Sequence, residues 1–194
     1  KESKEKILKF ITVARFAERK KGLDIIKKIA SLLIEKEIQF KWLIVGKDSD
    51  KLLKNEFFKN NKIYFELTAN IENLNETYFP NSKLIKIYKS CNLYLNLARI
   101  ESFGITIIEA LASELPVITF NTKGGNELIV NNMNGNIVEE NNLNDYVEAI
   151  LMHKNINYYK RIKSNTIKSI NKFDLTGVAR DTTNILEENL KSLN

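Results

Sequence analysis

The chain has little of the chemistry on which most hydrolases and metalloproteins depend. Its 194 residues hold one cysteine, Cys91, and one histidine, His153. A single cysteine excludes an internal disulfide. Cys91, set among Ile87, Tyr88 and Leu93, reads as a small buried apolar residue rather than a reactive thiol. His153 falls in a helical stretch with no Cys or carboxylate at ligand spacing, which argues against a metal site. A Ser-His-Asp or Cys-His nucleophile has little to be built from. No apolar run reaches the roughly 18 residues of a transmembrane helix. The N-terminal Lys-Glu-Ser-Lys-Glu-Lys is of mixed charge with no apolar core behind it, so it reads as an interdomain linker and not a secretory signal. Two nucleotide fingerprints are missing as well. There is no G-x-G-x-x-G after the first apolar run and no G-x-x-x-x-G-K-S/T.

What remains is ordinary in bulk and patterned in detail. The length suits one large domain, and an apolar share of 43% supports a sizeable core. The net charge of +6 comes from lysines scattered along the chain. Such a surface attracts phosphate-bearing ligands, anionic lipid and nucleic acid alike. No nucleic-acid-binding motif accompanies it, so nucleic acid is not an expected partner.

Short apolar runs alternate with turns and amphipathic stretches, the pattern of a parallel α/β sheet with helices on its faces. Strands are expected at Lys9–Ala14, Phe40–Val45, Lys62–Leu67, Asn92–Leu97 and Pro116–Phe120, with a short sixth at Asn136–Glu139. Helices are expected from Gly22, over Lys51–Lys59, after a Ser82 cap, over Gly104–Ser113, and from about Leu143 to the end. Thr68–Asn81 is polar, and Pro80 discourages helix, so a loop is expected there. Ligands of such sheets bind where strands end and helices begin.

Three stretches at that edge carry candidate chemistry. Arg15 and Lys21 bracket the loop after the first strand. A guanidinium and an ammonium beside a helix N-terminus can span two phosphoryl groups. From charge alone, a solvated loop in a lysine-rich chain explains them more simply. Glu101 and Glu109 flank Ser-Phe-Gly-Ile-Thr-Ile-Ile, a strand-to-helix turn that should bring both carboxylates to one side of a cleft without contact. A carboxylate accepts hydrogen bonds from vicinal hydroxyls, and backbone N–H groups at Phe103, Gly104 and Ile105 should be free to face a phosphate. Glu109 inside so apolar a helix is costly unless it has a partner, whereas Glu101 alone could be a cap. Thr122-Lys-Gly-Gly-Asn-Glu127 could cradle a ligand or form a plain left-handed turn.

The ordered series Val13-Ala-Arg15…Lys21-Gly22, Phe40–Gly46, Glu101-Ser-Phe-Gly-Ile-Thr-Ile-Ile-Glu109-Ala, Leu115-Pro-Val117, Gly124-Gly125-Asn-Glu127 and Asn134-Gly135 resembles the C-terminal domain of the family 4 retaining glycosyltransferases, which have the GT-B fold. The resemblance runs from about Lys9 to Ile150. It implies one Rossmann-like, nucleotide-sugar-binding domain over residues 1–194 with a helical tail from about residue 143. It further implies that Arg15 and Lys21 hold the donor's diphosphate and that Glu101 lies against the donor sugar as the catalytic carboxylate. Phe103, Gly104 and Ile105 would give backbone contacts, and Glu109 would bind the ribose. Neither a metal nor another cofactor is expected. The implied partners are a nucleotide sugar and an N-terminal acceptor domain that is missing from these residues. The implied acceptor is a glycan or a lipid-linked molecule, and the implied location is cytoplasmic, peripheral at the inner face of a membrane. The residues given are expected to bind a donor but not to turn it over. The sequence departs from the family where Ala14 replaces a usual glycine, and where Gly46-Lys-Asp-Ser replaces a glycine-richer loop. A non-catalytic nucleotide-binding module and a GT-B-like sugar-nucleotide epimerase are the alternatives.

Overall fold

Strands that read apolar along their whole length must be covered on both faces, and the computed structural model shows how. It describes residues 7–14, 19–69, 71, 80, 82–140 and 142–173. Within them, β1 (Leu8–Val13), β2 (Phe40–Val45), β3 (Phe65–Thr68), β4 (Leu93–Asn96), β5 (Val117–Phe120) and β6 (Gly135–Val138) form one six-stranded sheet. Its order is β3-β2-β1-β4-β5-β6, and every recorded pairing is parallel.

Alternation along the strands divides the core between the two faces. Phe10, Phe40, Trp42 and Ile44 pack with α1 (Leu23–Glu35), α2 (Glu56–Asn60) and α6 (Leu143–Met152). Ile11, Leu43, Val45 and Tyr94 pack with α3 (Ser82–Lys89), α4 (Ile105–Ala112) and α5 (Lys123–Leu128). α7 (Ile156–Ile170) lies against α4. In α1, Ile25, Ile26, Ile29, Ala30 and Leu33 recur at helical spacing and are all buried, which fixes that helix to the sheet. None of the described helices is long and apolar enough to cross a membrane.

The strand order reverses direction between β1 and β4, and there the ladder is shortest. β1 pairs with β2 over all six residues, but with β4 only through Phe10 with Leu93 and Ile11 with Tyr94. Beyond that point Thr12 takes over: its buried Oγ1 donates to the Leu95 carbonyl (2.8 Å) and accepts from Trp42 Nε1 (3.0 Å). The two strands part toward their carboxyl ends, and the crevice of a doubly wound sheet opens at this position.

Some expected elements are cut differently. Lys51–Lys59 is not one helix: a 3-10 turn over Ser49–Lys54 stops at Asn55, whose extended backbone and side chain cap α2. A side-chain acceptor for the Phe57 N–H (2.9 Å) competes with helix continuation. Lys62–Tyr64 makes a further 3-10 turn, so β3 starts at Phe65 and not at Lys62. The tail is helical as expected over its described residues, where Asn155 caps α7 and divides it from α6. Gly124 and Gly125 form neither a cradle nor a left-handed turn. They lie in the first turn of α5, capped by Thr122 Oγ1, which accepts from the Gly125 N–H at 3.1 Å. Most of the loop expected at Thr68–Asn81 lies outside the described residues, as does the tail from 174.

At the far edge of the sheet, the turn before β6 folds back on that strand. The Asn132 N–H donates to the Gly135 carbonyl (2.8 Å) and Asn131 Oδ1 accepts from the Ile137 N–H (3.3 Å). Buried Asn134 holds this turn, donating to the Leu128 carbonyl and accepting from the Val130 N–H.

Candidate functional site

Residues 15–18, the candidate Arg15 among them, lie outside the described residues. Description resumes with the 3-10 turn Arg19–Lys21 and with Gly22 at φ 75°. A Cβ on Gly22 would stand 2.1 Å from the Leu97 carbonyl oxygen, so only glycine lets the start of α1 abut the end of β4. The stitch continues at Arg99, whose N–H donates to the Lys20 carbonyl at 2.8 Å. Its guanidinium grips both oxygens of Asp24 (2.8 and 2.7 Å) and reaches Glu140 (2.7 Å). The loops after β1 and β4 are thereby held together, and Lys21 Nζ meets Glu101 Oε2 at 3.2 Å.

The second oxygen of Glu101 accepts from the Gly104 N–H at 3.1 Å. Gly104 stands at φ 81° and starts α4. Among the described residues, the N–H groups of Phe103, Ile105 and Thr106 have no hydrogen-bond acceptor. They are the open donors of a helix N-terminus, where an anion is favoured. The loop is pressed from behind by Gly124: its N–H donates to the Glu101 carbonyl (2.8 Å), and a Cβ there would come within 2.9 Å of the Phe103 nitrogen. Lys21, Glu101, the 103–106 turn, Lys47 and the ends of β1 and β4 line a cavity of about 520 Å³. It offers cations and N–H donors to an anion, and a carboxylate to hydroxyls.

A second cavity of about 500 Å³ lies on the other side of that turn, lined by Ile85, Lys89, Phe103, Ile105, Ile108 and Glu109 among others. Glu109 is buried, 6% exposed. Its Oε2 accepts from the Tyr88 hydroxyl at 2.8 Å, while Oε1 is buried with no partner among the described residues. Burial raises the Glu109 carboxyl above its usual range, and the Tyr88 hydrogen bond pulls the other way.

The expected residues are therefore divided. Lys21, Glu101, Phe103, Gly104 and Ile105 line the first cavity, whereas Glu109 lines the second. The two carboxylates do not share a cavity, because the exposed side chains of Phe103 and Ile105 stand between as a wall common to both. Arg99 and the Tyr88 partnership are features that reading the sequence missed. A cation directly after a strand at the carboxyl edge was the available signal for Arg99. Cys91 and His153 lie apart from this chemistry. Burial pushes the Cys91 thiol up to about 11 and the His153 imidazole down to about 4. His153 is bonded to Asn136 at 3.1 Å.

Comparison with known proteins bears on the family and the fold. Residues 1–169 match the profile of the family described as glycosyl transferases group 1. The chain is 31% identical over 134 residues to the poly(ribitol-phosphate) alpha-N-acetylglucosaminyltransferase of Staphylococcus aureus (strain COL), covering 68% of this chain and 25% of that protein. It is 34% identical over 77 residues to the GtfA subunit of the UDP-N-acetylglucosamine–peptide N-acetylglucosaminyltransferase of Streptococcus gordonii, covering 38% of this chain and 15% of that one. A solved glycosyltransferase from Rickettsia africae ESF-5 superposes with a TM-score of 0.71 at 26% identity, over 95% of this chain and 48% of that chain. The chain spans about a third or less of the length of the curated relatives it matches, 25%, 36% and 32% in three of them.

Proposed function

Since the chain belongs to the glycosyl transferases group 1 family, we propose that it is the donor-binding domain of a retaining, family 4 hexosyltransferase that uses a nucleoside diphosphate sugar. The observation that carries this reading is the crevice between β1 and β4, where Lys21, Glu101 and the open N–H groups at the start of α4 line one cavity. Lys21, with Arg15, takes the diphosphate. The N–H groups of Ile105 and Thr106 share its charge, and no metal is needed. Glu101 receives the hydroxyls of the sugar and Glu109 those of the ribose.

In transfer, the bond between the anomeric carbon and the diphosphate oxygen breaks, the sugar passes to an acceptor hydroxyl oxygen with its configuration retained, and the hydroxyl's proton goes to the departing diphosphate. Charge builds on the departing diphosphate, and preorganised cations and N–H dipoles lower that barrier most. The Lys21–Glu101 pair suits a site of this kind. The two charges neutralise each other until a diphosphate draws Lys21 to itself and frees Glu101 for a sugar hydroxyl. An N-terminal acceptor domain, outside these residues, completes the enzyme, so the chain alone binds donor without turning it over. The acceptor is a glycan or a lipid-linked molecule, and a lipid-linked acceptor would hold the whole protein at the cytoplasmic face of a membrane. Two of the relatives are N-acetylglucosaminyltransferases by name, so UDP-N-acetylglucosamine is the first donor to try.

The test is calorimetric titration of the chain with nucleoside diphosphates and their sugars, repeated with a chelator and on Lys21→Ala and Glu109→Ala. One nucleotide should bind selectively, unaffected by chelation and weakened in both variants. Equal affinity in the chain and both variants, or sugar transfer by the chain alone, would overturn the reading.

A further inference from the structure

Two tyrosines tie α4 down from beneath. The Tyr94 hydroxyl donates to Thr106 Oγ1 at 2.7 Å, and the Tyr88 hydroxyl donates to Glu109 Oε2 at 2.8 Å. Both rings are buried, their centroids 6.0 Å apart. Thr106 and Glu109 are three positions apart, so the two bonds hold one face of the helix.

A carboxylate has two oxygens and, unrestrained, turns either toward a ligand. Here one oxygen is taken by the core and the other, though buried, has no partner among the described residues. A buried oxygen of this kind is costly unless something bonds to it. We propose that Tyr88 is a positioning residue of the donor site: by holding Oε2 it makes Oε1 the one acceptor that Glu109 presents to a single ribose hydroxyl. This rests on reading Glu109 as the ribose contact.

The surroundings give Tyr88 a second task. From α3, Tyr88 and the cavity-lining Lys89 face this region, and from β4 Tyr94 does. α7, on the outer side of α4, brings Lys163, which pairs with Glu114 at 3.6 Å. Among the described residues no cation forms an ion pair with Glu109. The Tyr88 hydrogen bond is therefore what opposes protonation by burial. Without that hydroxyl, Glu109 takes up its proton at higher pH and ceases to be a charged acceptor.

The experiment titrates the chain with uridine, adenosine and guanosine diphosphates and their 2′-deoxy and 3′-deoxy counterparts, from pH 5.5 to 8.5. It is repeated on Tyr88→Phe, Glu109→Gln and, as a control, Tyr94→Phe. The chain should prefer one ribonucleotide over a deoxy counterpart by about 10-fold, the difference made by a hydrogen bond to a charged group. Tyr88→Phe, which is isosteric, should weaken that preference at every pH and, as the pH falls, lose it at a higher pH than the parent does. Glu109→Gln should lose it at every pH, and Tyr94→Phe should follow the parent. If the chain discriminates and Glu109→Gln does not, yet Tyr88→Phe keeps the parent's pH profile, the role of Tyr88 is overturned and the ribose reading stands. An equal shift in Tyr94→Phe also overturns it, since general loosening of α4 would then suffice. If the parent shows no preference, or no nucleotide binds, the ribose reading itself fails and takes the proposal with it.

Discussion

Glu101 precedes α4 and Glu109 lies within it, and their surroundings differ. The Glu101 side chain is 14% exposed and both its oxygens are engaged, one by a cation and one by a backbone N–H. Glu109 is deeper and, among the described residues, has one neutral donor and one oxygen without a partner. The first is a charge already balanced within the fold, which a ligand would have to rearrange. The second is a carboxylate the described residues leave incompletely compensated, which a ligand could complete. Stability and binding should therefore separate differently at the two positions.

The largest effect should come from the cation on the Glu101 side. Lys21→Ala should weaken a nucleoside diphosphate by about 2–3 kcal/mol, the worth of a charge-assisted contact, and leave the parent nucleoside unchanged. An equal loss for both, measured by titration, would mean that the two cavities do not act separately. Next is Gly104, where the two environments meet. At φ 81°, and with an added Cβ 2.8 Å from Leu128 Cδ1, Gly104→Ala should cost about 1–2 kcal/mol. A thermal melt should read this as a Tm lower by about 2–8 °C.

A smaller effect of opposite sign should appear on the Glu109 side. Replacing both partners with apolar residues, Glu109→Leu with Tyr88→Phe, should raise stability by about 1 kcal/mol while abolishing ribose discrimination. The pH dependence has a definite sign. The folded carboxyl of Glu109 is raised above its usual value of 4.5, so the folded chain holds this proton more tightly than the unfolded chain does. The contribution of this group to stability is then fully present below 4.5 and is lost as pH rises through the folded value. The double variant should lack this part of the decline in Tm. The smallest effect belongs to Glu101→Gln, which keeps an acceptor for the Gly104 N–H and loses only a partly exposed ion pair. It should cost about 0.5 kcal/mol in a chemical melt.

The strands were legible because a parallel sheet writes apolar runs into the chain, and all six fall within three residues of where the alternation puts them. Glu109 was legible as a charge within an apolar helix that needed a partner. The partner itself was not, because Tyr88 lies 21 positions earlier on another helix and only packing brings the two together. Arg99 escaped for the same reason: its acceptors Asp24 and Glu140 come from distant parts of the chain. Lys51–Lys59 failed for a local reason, since helical spacing does not register that Asn55 caps more readily than it continues.

The turn before β6 has a consequence for how the protein meets copies of itself. An outermost strand offers a row of N–H and C=O groups to any passing chain. On β6 the Gly135 carbonyl and the Ile137 N–H already belong to Asn132 and Asn131. The opposite margin, β3, is four residues long and carries exposed Glu66. Neither margin gives a second molecule a ready template for adding its own strand, so crowding these chains together should not by itself zip their sheets into fibres.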